Sequence, residues 1–331
     1  MDSLHIIAEA GTNNNGSLEK AKNLINIASR AGATSVKFQM INTWGLYLPG
    51  KYDYGHYNIE DVIKIRQEGE MTDEEYNELA LHAAKMKIGY SSSVFDEKAL
   101  KLLASFKPPY IKIASCDLNN IRFLRQVADY GIKMVISTGM STLADVEKTV
   151  KAITYNGFND IVLLHCVSVY PAKLEQTNLT FITTLKNEFG FEVGFSDHTP
   201  TSHAACMAFV LGARWFEKHF TEDKKQKGLD HAYALEEVEL KSYIEDLNAA
   251  SIALAPKSDK ISDKEFYTRK RARRSLYASR NLPVGHVITD DDVLIVRPEN
   301  LMQADEIDFI IGKSLKVPLN QYQPFNTEIV Q

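Results

Sequence analysis

The sequence predicts an α/β protein in which a parallel (β/α)8 barrel, the TIM-barrel fold, is followed by a small, mostly β domain. Eight times along the first 220 residues, a short apolar run ends in a polar residue that a structural core would not need, and helical stretches separate these runs. The strand ends of a parallel barrel meet at one mouth, where barrel enzymes carry their active sites. The length of 331 residues exceeds a barrel of roughly 250, so a second, small domain is expected.

Each strand–helix unit is predicted from the change between apolar runs and helical periodicity. Strands are expected at 5–9, 35–39, 88–92, 110–115, 134–137, 161–165, 192–196 and 215–219. Helices are expected at 18–31, 73–87, 97–105, 120–130, 142–154, 179–189, 202–211 and 236–255, and Thr72 with Glu75 forms a capping box before the second of them. A doubly wound open sheet is the alternative, but it does not explain polar residues at all eight strand ends.

Two stretches interrupt this regular order. Residues 40–69 are predicted as a long loop, and we expect the segment 40–71 to cover the mouth, because loops of that length are usually functional. Residues 256–273 are polar and charged, which predicts a linker between a barrel domain at 1–255 and a β domain at 274–331. The basic cluster at 269–274 is interpreted as solvated linker, or alternatively as a contact for phosphate or an acidic partner.

Composition excludes several classes of function. The net charge of -5 argues against a nucleic-acid binder, and no apolar run approaches the ~20 residues of a membrane span. The N-terminus lacks a basic region and a cleavage site, and three scattered cysteines do not form a disulfide framework, so reducing cytoplasm is expected. Cys116 and Cys166 follow strand ends, but no recognisable base accompanies them, which favours small buried side chains over a catalytic thiol.

His198 and His219 are the strongest candidates for metal ligands. They end consecutive predicted strands, in GFSDHTP and FEKHFTED, so a barrel places both imidazoles on one rim. Two neutral imidazoles with open positions favour a catalytic metal site, whereas hydrogen-bonded rim residues are the alternative. Asp197 and Glu217 flank the histidines and are predicted to orient the rings.

Lys37 and Lys112 are predicted to point into the mouth from two other strands. A lysine there forms a Schiff base, holds an anion, or extends from the rim into solvent. Five serines lie near them in the predicted mouth: Ser93, Ser115, Ser137, Ser168 and Ser196. This set of donors favours a dianion such as an enol phosphate. Glu9 and Asp230 add carboxylates that could act as general bases or bind sugar hydroxyls.

At these residues the chain resembles the sialic acid synthase family, the nonulosonic acid synthases that condense phosphoenolpyruvate with an N-acylated hexose. The resemblance covers nearly the whole length, and the ordered set of motifs is far more specific than any one of them. The motifs are Glu9-Ala-Gly, Val36-Lys37-Phe-Gln39, Ile111-Lys112-Ile-Ala-Ser115, Ser137-Thr-Gly-Met140, His165-Cys166, Tyr170-Pro171, Ser196-Asp197-His198-Thr199, Glu217-Lys-His219-Phe220 and Gly228-Leu-Asp230-His231. The stretch SLYASRNLPVGHVITDDDV, followed by Arg297-Pro298, resembles the family's antifreeze-like (SAF) domain.

The resemblance implies a role for each candidate residue. His198 and His219 would bind Mn²⁺ or Mg²⁺, which polarises the sugar aldehyde, and Glu9 would manage the attacking water. Phosphoenolpyruvate would be held by Lys37, Ser93, Lys112, Ser115, Ser137, Ser168 and Ser196. The acceptor sugar would contact Gln39, Asp117, Tyr170 and Asp230. Arg297 would reach its acylamino group from the partner protomer, because the family's small domain swaps across a homodimer.

The chain departs from the family pattern at positions that face the sugar. Asn13-Asn14 replaces Asn-His, Asp117 replaces Glu, Ser168 replaces Asn, and Glu299 follows Arg297-Pro298 in place of Gly. The stretch 40–71 matches no subgroup. The product is therefore open among N-acetylneuraminate, legionaminate and pseudaminate. A Schiff-base aldolase that uses Lys112 or Lys37, and a sugar- or partner-binding protein without activity, are the alternatives from other classes.

Overall fold

The structure is a computed structural model that describes residues 4–50, 58–255 and 260–331. The chain divides into two compact units, Met1–Ala255 and Pro256–Gln331. The first unit is a closed barrel whose strands follow one another in sequence order. The strands are β1 (His5–Gly11), β2 (Ser35–Met40), β3 (Gly89–Val94), β4 (Ile111–Ile113), β5 (Met134–Ser137), β6 (Ile161–Cys166), β7 (Glu192–Asp197) and β8 (Trp215–His219).

Parallel pairing of β1 with both β2 and β8 closes the barrel, with Glu9 opposite Lys37 on one side and opposite His219 on the other. This closure confirms the predicted (β/α)8 fold and excludes the open sheet, which has two free edges. The helices of the first unit are α1 (Leu18–Ala31), α2 (Thr43–Leu46), α3 (Ile59–Glu68), α4 (Asp73–Lys85), α5 (Glu97–Ser105), α6 (Ile121–Ala128), α7 (Leu143–Thr154), α8 (Phe181–Phe189), α9 (His203–Val210) and α10 (Glu237–Ala253). The capping box of Thr72 and Glu75 opens α4 as predicted.

The prediction of a loop at 40–69 is wrong in part, because α2 and α3 lie within this segment. Asn58 caps α3 by accepting a hydrogen bond from the Glu60 backbone, and Ile63 is the buried residue of this helix. One buried position in ten gives too weak a periodicity to distinguish the helix from a polar loop. Residues 51–57 of the expected loop lie outside the described residues.

The barrel interior is apolar at one end and charged at the other. A buried cluster fills the lower part of the barrel: Ile7, Tyr110, Val135, Val162, Leu164 and Trp215. Strand side chains alternate between the two faces of a sheet, so the inward residues two positions further along each strand form the next layer. On β1 that residue is Glu9, on β4 it is Lys112, and on β8 it is Glu217. The apolar floor therefore supports a layer of charged side chains.

The second unit contains the antiparallel pair β9 (Ser275–Ala278) and β10 (Val293–Val296), with α11 (Asp263–Ala272) before it and α12 (Ile307–Ile310) after it. Its core includes Leu276, Ile288 and Phe325. The segment 256–273, predicted as a linker, is thus mainly helical in its described part. Arg269 of the basic cluster pairs with Glu299 at 2.7 Å within this unit. In the described residues no helix is both long and apolar enough to cross a bilayer.

Candidate active site

The strand ends of the first unit surround a cavity of about 490 Å³. Every residue predicted to hold phosphoenolpyruvate lines it, together with both histidines. The lining residues predicted from sequence are Glu9, Lys37, Gln39, Ser93, Lys112, Ser115, Ser137, Ser168, Tyr170, Ser196, His198 and His219. The imidazole pair and the two amines thus converge on one cavity.

A buried ionic network forms the floor of the cavity. The Lys37 ammonium lies 2.7 Å from Glu9 Oε2, 3.6 Å from Glu217 Oε2, and 2.9 Å from Ser93 Oγ. The Lys112 ammonium lies 3.8 Å from Glu217 and donates to Ser137 Oγ at 2.7 Å. Buried charges of both signs stabilise one another here, since an unpaired charge at these positions would be strongly unfavourable.

The two carboxylates of this network have different proton affinities. Burial raises the pKa of Glu9 to about 7, although the Lys37 charge opposes the shift. Burial acts in the same direction on Glu217, but Lys112 and Lys37 outweigh it and lower the pKa of that residue to about 2. Glu217 is therefore the more acidic of the two and the anion of the pair, whereas Glu9 can bind and release a proton near neutral pH.

The two lysines also differ in their affinity for a proton. Burial tends to lower the pKa of Lys37, but Glu217 and Glu9 outweigh this effect and raise it. For Lys112 burial prevails over the attraction of Glu217, and its pKa is lowered. Lys37 is thus a fixed cation, while Lys112 gives up a proton more readily.

His198 and His219 face each other across the cavity with ring centroids 5.5 Å apart. His198 Nδ1 lies 2.9 Å from the Val167 carbonyl oxygen, so this nitrogen carries the proton and Nε2 is left for another partner. Burial tends to lower the pKa of His198, but Cys166, the Val167 carbonyl and Glu217 outweigh this effect and raise it. His219 Nδ1 is buried without a hydrogen-bond partner in the described part of the chain.

A second cavity of about 330 Å³ adjoins the first and shares Gln39, Tyr170 and His219 with it. The Tyr170 ring packs on His198 at 4.2 Å between centroids and on Tyr233 at 5.1 Å. Asp230 lines this second cavity and accepts a hydrogen bond from the Tyr233 hydroxyl at 2.7 Å. The predicted sugar-binding residues Gln39, Tyr170 and Asp230 are therefore brought together.

Several predicted residues lie elsewhere. His165 contacts the Thr177 carbonyl oxygen at 2.6 Å and packs between Phe181 and Phe195, so Cys166 faces the cavity in its place. Asp117 accepts a hydrogen bond from Asn120 and is not among the residues that line either cavity. Arg297 belongs to the second unit, where it follows β10.

The prediction that Asp197 and Glu217 orient the histidine rings is wrong. Asp197 points away from the cavity and pairs with Lys218 at 3.1 Å, while Glu217 accepts from Ser196 Oγ at 2.9 Å and faces the two lysines. The Val167 carbonyl orients His198 instead. Strict alternation along β8, which puts Glu217 and His219 on one face and Lys218 on the other, is the signal that identifies Glu217 as a cavity residue.

Sequence reasoning also missed Gly139 and Arg66. A Cβ atom on Gly139 would lie 2.5 Å from Ser168 Oγ and 2.8 Å from Ser115 Oγ, so only glycine lets these hydroxyls approach the turn after β5. Arg66 of α3 lines the second cavity, and no motif in the sequence marks it. Its position depends on a helix that the sequence pattern does not reveal.

A barrel whose mouth gathers paired lysines, carboxylates and histidines defines an enzyme rather than a binding module. The model of the NeuB family matches residues 24–259, and the model of the SAF domain matches residues 273–325. The chain belongs to the NeuB family, and the resemblance inferred from its motifs is confirmed.

Several relatives of the chain are named as synthases. The chain is 34% identical to N,N'-diacetyllegionaminic acid synthase of Campylobacter jejuni, over 93% of this chain and 94% of the relative. It is 32% identical to pseudaminic acid synthase from the same species, over 93% and 91%. A solved structure of N-acetylneuraminic acid synthetase from Leptospira borgpetersenii, in complex with citrate, is similar with a TM-score of 0.73 and 29% identity, over 80% of this chain and 90% of that one. The prediction of an enzyme of the transferase class is confirmed, and these names support nonulosonic acid synthesis.

Proposed function

We propose that the protein condenses phosphoenolpyruvate with an open-chain N-acylated hexose, such as N-acetylmannosamine or a related acetamido sugar, to give a nine-carbon α-keto acid and phosphate. The names of the relatives agree with this product class. The observation that carries the proposal is the presence of an anion subsite and a histidine pair in the same cavity.

The anion subsite suits an enol phosphate. Two ammonium groups supply positive charge, and hydroxyl groups of Ser93 and Ser137 already hydrogen-bond them. Ser115, Ser168 and Ser196 line the same cavity and add hydroxyl donors for phosphate and carboxylate oxygens. Glu217 lies 3.6 Å from Lys37 and 3.8 Å from Lys112 and partly offsets their positive charge.

The reaction has two stages. Carbon C3 of phosphoenolpyruvate forms the new bond to the aldehyde carbon, whose oxygen takes up a proton, and positive charge develops at C2. Water then adds at C2 and loses a proton. The bond between C2 and the phosphate oxygen breaks, its electron pair leaves with phosphate, and the C2 hydroxyl loses its proton as the α-keto group forms.

The histidine pair fits a divalent cation, Mn²⁺ or Mg²⁺. Burial lowers the pKa of His219 to about 3, so its ring is neutral and its partnerless Nδ1 can ligate. Nε2 of His198 can do the same if it releases Cys166. Among the described residues no cluster of three or more His, Cys, Asp or Glu side chains could hold a metal, so the protein would supply these two ligands. When bound, the cation supplies Lewis acidity at the aldehyde oxygen.

Glu9 is the proposed base for the second stage. Its pKa of about 7 allows the carboxylate to take a proton from the attacking water and to release it after turnover. Gln39 donates to Glu9 Oε1 at 2.9 Å, and Lys37 holds Oε2, so the carboxylate is fixed in orientation. Glu217 favours the charged form of Lys37.

Phosphate release tests the proposal. Wild type, Lys37→Met and a matched control, Lys101→Met on the exposed face of α5, are incubated with phosphoenolpyruvate and a panel of N-acylated hexoses, with Mn²⁺ and with a chelator. We expect phosphate and keto acid in equal amounts, only with sugar and cation, in wild type and the control. Lack of phosphate release with every sugar would contradict the proposal.

One observation favours a second function, a Schiff-base aldolase. The lowered pKa of Lys112 increases the fraction of its amine that is neutral at a given pH, and a Schiff base requires the neutral amine. Borohydride reduction in the presence of pyruvate or the keto acid, followed by mass spectrometry, distinguishes the two. We expect no adduct on Lys112 or Lys37, and a trapped adduct without phosphate release would favour the aldolase.

Other expectations stay predictions. The acceptor distinguishes an N-acetylneuraminate synthase from a legionaminate or pseudaminate synthase, and the same panel of sugars decides between them. A binding protein without activity would bind a sugar in the panel but release no phosphate. The domain-swapped homodimer, in which Arg297 contacts the acceptor of the partner protomer, and the cytoplasmic location also remain to be tested.

A further inference from the structure

The proposed function leaves one charged group of the mouth unused, the guanidinium of Arg66. Arg66 lies in the last turn of α3, the helix within the 40–71 segment that has no counterpart in the family motifs. Its Nη1 donates to Thr12 Oγ1 at 2.5 Å, on the turn after β1. A hydrogen bond over 54 residues of sequence therefore anchors the guanidinium beside the reaction cavity.

Arg66 has unused hydrogen-bonding capacity. The bond to Thr12 is the one hydrogen bond that the Arg66 side chain makes to other described residues, and its buried Nε has no partner among them. Asp230 is close enough for the Arg66 charge to favour its ionised form. However, Asp230 Oδ1 accepts from Tyr233, and Thr12 lies between Oδ2 and the guanidinium. A guanidinium that is fixed in place, and whose other N–H groups have no partner among the described residues, is suited to bind an oxygen atom of a ligand.

The residues around Arg66 indicate which kind of chemical group carries the oxygen atom that the guanidinium binds. Arg66 and Asp230, together with Gln39 and His219, form the polar part of the second cavity, while Ile59, Val62 and Leu229 form an apolar part. An anionic group would be repelled by Asp230, and a hydroxyl group would leave the apolar part unfilled. An acylamino group satisfies both, because it combines a neutral carbonyl acceptor with an alkyl end.

We propose that Arg66 binds the carbonyl oxygen of an acylamino group of the acceptor sugar, with the alkyl end of that group against Ile59, Val62 and Leu229, and thereby determines which hexoses are accepted. This inference rests on the proposed function. It assigns α3 to sugar recognition, through a residue whose side-chain partner, Thr12, lies in the first unit.

The test measures Michaelis constants for both substrates. Arg66→Met, Arg66→Lys and the control Arg122→Met, which changes an exposed arginine on α6, are compared with wild type by phosphate release and thermal melting. For Arg66→Met we expect KM for the N-acylated sugar to rise about tenfold to a hundredfold, as for loss of a charge-assisted hydrogen bond. KM for phosphoenolpyruvate and the melting temperature should stay near wild type, and Arg66→Lys should recover part of the loss.

A sugar without the acylamino group provides a further control. Mannose, used as a competitive inhibitor, should bind wild type and Arg66→Met with the same inhibition constant. An unchanged KM for the N-acylated sugar in an active Arg66→Met enzyme overturns the inference alone. Equal increases in both KM values with a lower melting temperature, or an equal loss of mannose binding, also overturn it by showing a purely structural role. A wild type that is inactive with every sugar overturns the proposed function and this inference together.

Discussion

The inner wall of the mouth and its outer rim are built in different ways. Inner-wall residues such as Lys37, Lys112 and Glu217 stand on strands and are at least 95% buried, and each is fixed by an opposite charge on another strand of the barrel. Rim residues such as Tyr170 and Arg66 stand on loops or on α3, and Tyr170 is 45% exposed. The difference indicates a division of labour. Under the proposed function, the barrel framework would hold the enol phosphate, whereas loops that can vary without disturbing the barrel would select the sugar.

Removal of both histidines should have the largest effect. The double variant His198→Ala and His219→Ala loses the proposed cation and its stabilisation of the aldehyde oxygen, which is worth several kcal/mol, so kcat/KM should fall about 10³-fold or more. Exhaustive chelation of wild type should have the same effect, and Mn²⁺ or Mg²⁺ should reverse it. The exposed His203→Ala on α9 is the matched control. Activity that survives either treatment would contradict the metal site.

Replacement of Glu9 tests the proton chemistry of the inner wall. Because burial raises the pKa of Glu9 to about 7, the carboxylate form required of a base is lost as pH falls through 7. The wild-type profile of kcat/KM should therefore decrease on the acidic side of pH 7. Glu9→Gln should reduce kcat about 10²-fold and abolish this limb of the profile. A limb that persists unchanged in Glu9→Gln would assign it to another group.

Gly139 lies where the wall meets the rim, and its replacement should have an intermediate effect. The added Cβ of Gly139→Ala would displace Ser168 Oγ and Ser115 Oγ, which lie 2.5 and 2.8 Å from the position of that atom. Loss of about one hydrogen bond to the enol phosphate predicts a rise in its KM of about tenfold. The KM of the sugar should change less. Equal changes in both constants would show that the barrel mouth as a whole has shifted.

The wall was predictable from sequence because a strand has a period of two. Once β2 is recognised, Lys37 and Gln39 must share a face, and the parallel barrel turns that face inward. The wrong predictions for the inner wall concern the ends of β6 and β8, where the same alternation was not applied. Alternation turns Cys166 inward and His165 outward, and it puts Glu217 one layer below His219 rather than beside its ring.

The rim could not be predicted in this way. The contact of Arg66 with Thr12 joins α3 to the turn after β1, and the contact of Thr12 with Asp230 spans 218 residues. Such contacts depend on how loops fold back over the mouth, which no local periodicity records. The polar α3, with a single buried side chain, gave little signal even for its own helix.

Replacement of Asp117 should have the smallest effect on activity. It tests whether the rim of the mouth includes the turn after β4. The family resemblance assigns Asp117 to the sugar, yet its carboxylate accepts from Asn120 at 3.2 Å and lines neither cavity. Asp117→Asn keeps the size of the side chain and an oxygen acceptor for Asn120. If this residue acts only within its own turn, KM for the sugar should change less than about threefold, because the acceptor for Asn120 is kept and no hydrogen bond to the sugar is lost. A rise of tenfold or more with unchanged thermal melting would instead place Asp117 on the sugar, and would extend the rim to the turn that follows β4.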